Sequence, residues 1–482
     1  MKNQLRLFAF FTSTFLCYSS CKLPEKTVTP PLAPMPASFN NSADSFPATL
    51  PLHQDQFFTD PVLQNLIDSA IQHNPDLAIA LQRVITAGAY LKISTGFTKP
   101  SVDGIISTGI DKFGDYTMNG LGNYDMNLSP NINKDQVIPL NMPDFFIGFR
   151  SQWEADIWGK LADRKKAAMA QYLASEKGRL WLTTQLVAMV AGLYYDLLAL
   201  DQELIIIKKN IQLQEDGIEI VKALKAGGRA TELAVQQFTA QLLSTKTIML
   251  RVRLQINTTE NQLNALSGYY TRKIIRGKNI LELSLPDTTI KAGIPSDLLT
   301  RRPDLQEVEL ELMAAGANME AARKAFLPSL NITAYTALNS FNPSFLLTPQ
   351  SLAYGILGGL VTPILSKNML KGNAVIASAN QQSLFQEYRK KVLTAYSEVA
   401  TELKKIEANT GIYELKRRET ASLTAAVTTS KELYVTGYAS YLEVITAQRG
   451  VLEAELESIS SKKAILTGMA DLYRQLGGGW KP

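Results

Sequence analysis

The sequence predicts a mainly α-helical chain with a membrane β contribution, built as a tandem repeat of long antiparallel helical hairpins. Three observations carry that expectation. Between Ser366 and Leu476 the apolar residues step mostly four, three, four, three, the 3.5-residue period of a coiled coil. Landmarks of the first half recur in the second at nearly constant offsets. Two runs in each half alternate polar and apolar residues at period two, as strands do.

The chain opens on a targeting pattern. Lys2 and Arg6 precede the apolar run Leu7 to Leu16, which is too short to span a bilayer. Tyr18-Ser19-Ser20-Cys21 follows and resembles a bacterial lipobox, with Tyr18 where leucine is usual. Cys21 is therefore the expected lipidation (palmitate) site, after a signal peptide over 1–20. Cleavage there removes the only other cysteine, Cys17, so the mature chain has no intrachain disulfide and no cysteine metal site. His53 and His73 are too few for a histidine cluster. The formal charge is +5, and losing Lys2 and Arg6 leaves +3, too little for a nucleic-acid partner. Residues 22–52, rich in Pro, Ser, Ala and Asn, read as an extended linker, and helical signal begins near Pro61.

The repeat is legible at four places. Asn74-Pro75-Asp76-Leu77 and Arg302-Pro303-Asp304-Leu305 each open an amphipathic helix that ends before a second proline, Pro100 or Pro328. Asp156-Ile157-Trp158-Gly159 corresponds to Pro363-Ile364-Leu365-Ser366, and Gly228 to Gly437. The expected order in each half is helix, strand, loop, strand, long helix, tight turn, long helix.

The first strand is expected at about Val102 to Phe113. In the second, Phe145, Ile147, Phe149, Trp153 and Ile157 share a face, opposite Arg150, Gln152, Glu154 and Asp156. The third runs from Leu330 to Leu338. The fourth places Leu352, Tyr354, Ile356, Leu360 and Ile364 against small residues. One apolar face fits a membrane barrel with a wet lumen, and also a half-buried sheet of a soluble protein. Runs of about ten residues are long enough to cross a bilayer on a tilt. Four strands cannot close a pore, and open edges in lipid leave backbone groups unpaired. An oligomer is required, and three chains supply twelve strands. The segment from Gly114 to Pro143 and the shorter one from Asn342 to Gln350 suit a cell surface.

Each hairpin turns on a glycine. Thr436-Gly437-Tyr438-Ala439-Ser440 offers Gly437 for a positive φ and Ser440 as the cap of the next helix. The descending stripe is Val392, Tyr396, Val399, Leu403, Ile406 and Tyr413. The ascending stripe is Leu442, Ile445, Leu452, Leu456, Ile459, Leu466 and Tyr473, interrupted by Arg449 and Lys463. An arm of about 65–70 residues is roughly 100 Å long.

These residues resemble the TolC-like outer-membrane efflux proteins, in particular their lipoprotein branch. The resemblance is carried by Ile294 to Leu299, Arg301-Arg302-Pro303-Asp304-Leu305, Ala314 to Arg323, Phe326-Leu327-Pro328-Ser329-Leu330, Asp156 to Lys160, and Leu433 to Gln448. It implies a homotrimer whose twelve strands form an outer-membrane channel and whose helices form a tunnel across the periplasm. Its partners would be a periplasmic adaptor (a membrane fusion protein), an inner-membrane transporter of the RND type and outer-membrane lipids. It implies no chemistry and no cofactor. The implied organisation is a lipidated linker over 21–60, a first repeat over 61–268, an equatorial segment over 269–300, a second repeat over 301–476 and a tail over 477–482. The adaptor would dock at Gly228, Arg229, Thr231 and Glu232 on the first tip, and at Gly437, Tyr438, Ser440, Tyr441 and Leu442 on the second. Tyr434 and Glu443 would serve the channel gate. The acidic ring of the family is thinned here, with Thr446 and Ala234 at positions that often hold acids.

Three other readings compete. A type I protein-secretion channel shares the resemblance. A periplasmic coiled-coil scaffold explains the hairpins but not the signal segment or the strands. An enzyme finds no Ser/His/Asp set, metal cluster or phosphate loop, and Gly477-Gly478-Gly479 reads as a tail.

Overall fold

The computed structural model describes residues 30–31, 34–39, 54–285, 293–363 and 367–478. Cys17, Cys21, His53, Ile364 and Ser366 lie outside the described residues. The chain divides into two compact units. One comprises residues 86–172 and 310–385, and the other 30–85, 173–309 and 386–482.

In chain order the elements are α1 (Pro61–His73), α2 (Pro75–Gly96), β1 (Ser101–Asp111), α3 (Met118–Asn127), β2 (Met142–Ala155), α4 (Lys160–Ala226) and α5 (Glu232–Leu266). The second half supplies α6 (Pro303–Lys324), β3 (Ser329–Ser340), β4 (Leu352–Val361), α7 (Lys367–Thr436) and α8 (Tyr441–Gln475). The repeated order of helix, strand pair and hairpin is present in both halves. A ten-residue helix, α3, stands inside the Gly114-to-Pro143 segment, where only a loop was expected.

The first unit holds an antiparallel sheet in the order β1-β2-β3-β4. Neighbouring strands in this order run antiparallel, and directly paired residues share a face. β2 ends at Ala155, so Ile157 is not a strand residue as expected. The chain turns there because Asp156 accepts from the backbone N–H groups of Leu161 (3.0 Å) and Ala162 (2.7 Å), capping α4. Gly159 completes the turn at φ +76°. Trp158 Nε1 donates to the Pro328 carbonyl (2.7 Å), and Lys324 pairs with Asp163 (2.6 Å), tying the two strand–helix connections together. Ala167 and Ala170 of α4 meet Ala314 and Ala317 of α6, small residues that permit close helix approach.

The second unit holds the main core, with Leu63, Ile67, Val187, Val190, Tyr194, Leu197, Ile207, Leu263, Ile280, Ile459 and Tyr473 all nearly free of solvent. The hairpin arms are unequal: α4 and α7 have 67 and 70 residues, but α5 and α8 have 35 each. The long-arm expectation holds for the outgoing helices alone. Each return helix stops at a glycine joint. Gly268 (φ +72°) and Gly477 (φ +83°) end α5 and α8 with the same pair of backbone hydrogen bonds, from the glycine and from the residue after it. A Cβ on Gly268 would lie 2.5 Å from the His73 carbonyl oxygen, and one on Gly477 would lie 2.4 Å from that of Arg301. The end of each return helix is therefore pressed against the start of α2 or α6.

Arg302 sits at the second joint, 2% exposed. It forks onto Asp304 (3.0 and 2.8 Å), reaches Glu398 (2.8 Å) and lies over the Trp181 ring at 5.1 Å. Asn74 holds the equivalent place at the first joint. Its side chain donates to the Leu266 carbonyl (2.8 Å) and accepts from the Asp76 backbone N–H (2.9 Å).

The coiled-coil stripes shift from the expected register. On α7 the buried line is Val392, Ala395, Val399, Leu403 and Ile406, with Tyr396 beside it. On α8, Val444, Gln448, Leu452, Ile459, Lys462, Leu466 and Tyr473 are buried. Leu442 is exposed, Arg449 pairs outward with Glu453 (2.8 Å), and Lys463 pairs with Asp196 (3.2 Å). Large size drew Tyr396 and Leu442 into the sequence stripe, whereas the smaller Ala395 and Val444 fit the close seam.

Candidate functional site

Two places concentrate the residues singled out by sequence: the two faces of the sheet, and the two hairpin turns.

The sheet register gives Val102, Ile106 and Ile110 of β1 the same face as Phe145, Ile147 and Phe149 of β2. That face continues through Ile332 and Leu338 of β3 to Leu352, Tyr354, Ile356 and Leu360 of β4. Most of these side chains are bare: Ile106 is 82% exposed, Tyr354 79% and Ile356 80%. The opposite face carries Asp103, Asp111, Asp144, Arg150, Gln152, Glu154, Asn331, Thr333 and Asn339. Asn339 donates to Asp144 (2.6 Å), and Glu154 pairs with Lys160 (2.5 Å). Tyr335 lies over Gly355 there, where a Cβ would meet its ring at 2.7 Å. β1 and β4 each have a partner on one side only. A largely apolar, mostly exposed face broken only by Thr108, Ser151, Thr336 and Ser340, a more polar opposite face and two open edges are the makings of part of a membrane barrel.

The hairpin turns are built alike. At the first, Gly228 takes φ +72°, and the N–H groups of Gly228 and Arg229 bond to Lys225 (2.9 Å) and Leu224 (2.8 Å). At the second, Gly437 takes φ +90°, and the N–H groups of Gly437 and Tyr438 bond to Tyr434 (3.1 Å) and Leu433 (2.8 Å). Thr231 caps α5 by accepting from the Ala234 N–H (3.2 Å). Glu443 accepts from the Ser440 backbone N–H, closing a capping box on α8. One role of the Glu443 carboxylate is thus a helix cap, while the side chain stays exposed. Glu232 pairs with Lys225 across the first turn.

The two turns also meet each other. Arg229 Nη2 donates to the Val435 carbonyl (2.8 Å), a partner that no sequence pattern marked. Between them opens a cavity of about 250 Å³ lined by Arg229, Thr231, Tyr434, Ser440 and Tyr441, among others. Beneath it Ile218, Val221, Ala234, Phe238, Leu242 and Val444 form a separate small core, against which Tyr434 and Tyr441 pack. Burial and the nearby Tyr441 push the Tyr434 phenol upward, and its hydroxyl finds no partner among the described residues. Tyr438 (85%) and Leu442 (57%) are left exposed beside these turns. Among the described residues no group of His, Cys, Asp and Glu could hold a metal ion. The expected lipidation site, Cys21, lies outside the described residues.

The chain matches the family described as outer membrane efflux protein over residues 66–269 and 294–478. The cation efflux system protein CusC of Escherichia coli O6:H1 is 27% identical over 455 residues, 94% of each chain. The probable outer membrane lipoprotein SilC of Salmonella typhimurium is 27% identical over 458 residues, 93% of this chain and 94% of its own. The open state of the MtrE outer membrane channel of Neisseria gonorrhoeae superposes with a TM-score of 0.80 at 22% identity, covering 95% of this chain and 98% of that one.

Proposed function

The chain belongs to the outer membrane efflux protein family, and from that premise we propose that three copies form the exit duct of a tripartite efflux system. The observation that carries this reading is the sheet: one face largely apolar and mostly exposed, the other more polar, both edges open. Three such sheets joined edge to edge satisfy every strand and give a twelve-stranded wall, apolar toward lipid and polar toward water.

The chain does no chemistry in this reading and carries no cofactor. An inner-membrane transporter supplies the energy, and a periplasmic adaptor joins it to the paired turns. Gly228, Arg229, Thr231 and Glu232, with Gly437, Tyr438, Ser440, Tyr441 and Leu442, form the adaptor contact. The equal build of the two turns, their bond through Arg229 and the exposed Tyr438 and Leu442 support it. Tyr434 and Glu443 narrow the passage beside them. Cys21 carries the lipid, a reading supported by the similarity to SilC, itself named a probable lipoprotein. Substrate choice rests with the transporter and adaptor, and cations are one class, by the likeness to CusC.

Protein extracted from outer membranes and placed in planar lipid bilayers should give stable ion-conducting channels. Glu443→Lys should shift their preference away from cations without loss of oligomer. Oligomer that inserts but never conducts would overturn the duct reading.

A further inference from the structure

The end of a short described piece of the N-terminal segment, Ser38 and Phe39, is packed on α7 although it forms no helix or strand. Phe39 is 8% exposed. Its ring stacks on that of Tyr396 at 5.5 Å between centroids and 21° between planes. The Tyr396 hydroxyl donates to the Ser38 carbonyl at 3.3 Å. Tyr396 stands beside the buried Ala395 but outside the coiled-coil line, so the segment covers a ring that the helix seam leaves open. Stacking and area burial together are a specific dock for an otherwise irregular chain. Five prolines (Pro24, Pro30, Pro31, Pro34 and Pro36) lie between Cys21 and Phe39. Each lacks a backbone donor, so this stretch has fewer backbone hydrogen bonds available to fasten it.

We propose that Ser38 and Phe39 are a clasp, seated on Tyr396, that fastens the N-terminal segment to α7 and limits the reach of the lipid-bearing end. The second clause rests on the reading of Cys21 as the lipidated residue. Phe39 is eighteen residues on from Cys21, so the anchor stays within about 60 Å of Tyr396 even when fully extended. Any pull of the membrane on the lipid then reaches α7 at Tyr396. It does not reach the Phe57, Phe58 and Tyr473 cluster, where the chain enters the main core.

The test is chymotrypsin treatment of the full-length oligomer in detergent, with the released peptides weighed. Chymotrypsin cuts after accessible aromatic residues. The Phe39–Asn40 bond should resist in the wild type and be cut at least tenfold faster in Tyr396→Ala, with the oligomer mass unchanged. Tyr396→Phe, which keeps the ring, should stay close to wild type. A wild-type bond cut as fast as in urea, or no change in Tyr396→Ala, overturns the clasp. Should Tyr396→Ala fail to assemble, the wild-type cleavage decides alone: a Phe39–Asn40 bond that resists in the folded oligomer but is cut in urea supports the clasp, and equal rates in both overturn it. The mass of the released N-terminal peptide reports the lipid on Cys21 separately. A bare peptide would end the anchor reading while leaving the clasp intact.

Discussion

At the residue scale, Arg302 is the most committed side chain of the joints. The residue is 2% exposed, and its guanidinium is held by Asp304 and Glu398. Arg302→Met would leave the Asp304 carboxylate buried without its cation, which costs about 3–5 kcal/mol when a buried pair is broken. The melting temperature of the detergent oligomer should fall clearly, and an unchanged value would sink this account of the joint. Glu455 offers a contrary case on the α8 seam. Burial, opposed by Lys209, raises its pKa, and its Oε2 lacks a partner among the described residues. A carboxylate raised in the folded state binds protons more tightly folded than unfolded. Its penalty is absent below the unfolded pKa and grows as pH climbs through the folded value. Glu455→Gln should therefore stabilise the protein more at pH 7 than at pH 4, as read by chemical melts at the two pH values.

At the element scale, the sheet and the joints make separate predictions. Phe149→Arg puts a charge on the apolar face and should cost about 2–4 kcal/mol in a bilayer. Gln152→Arg, on the polar face, should assemble normally, and equal oligomer yields from both would overturn the face assignment. At the joints, Gly268→Ala and Gly477→Ala each meet a positive φ and a backbone carbonyl within 2.5 Å. Both should lower thermal stability, while Gly192→Ala, whose Cβ meets nothing within 4 Å, should be neutral or slightly stabilising. The sheet was readable because period two and hydrophobicity agree over most of the strands, with exceptions such as Ile105 and Leu357 on the more polar face. Pro75, Pro303 and the paired glycines made the repeat visible, since each has a fixed backbone use. The seam register was less readable. The pattern gives period 3.5 but not which of two adjacent residues turns inward, so the stripe takes Tyr396 and Ile445 where the structure buries their neighbours Ala395 and Val444. Arg302 stood in a recognised motif, yet its partner Glu398 lies 96 residues away. The bond from Arg229 to Val435 spans 206 residues, and no local pattern encodes either contact.

At the scale of the whole molecule, assembly and partner contact should separate. Gly437→Val has room for its side chain but not for its φ of +90°, a strain of order 1–3 kcal/mol. The oligomer should survive, while adaptor cross-linking and efflux fall together. Gly277→Val should instead harm the fold, because a Cβ there would meet Asp60 at 2.4 Å and Tyr194 at 2.7 Å. The two open strand edges, β1 and β4, make the sharpest demand, since lipid tolerates neither. The measurement that bears on it most directly is the native mass of the oligomer extracted from outer membranes. Three chains per particle is the predicted result, and a stable membrane-embedded monomer or dimer would contradict the closed twelve-stranded wall.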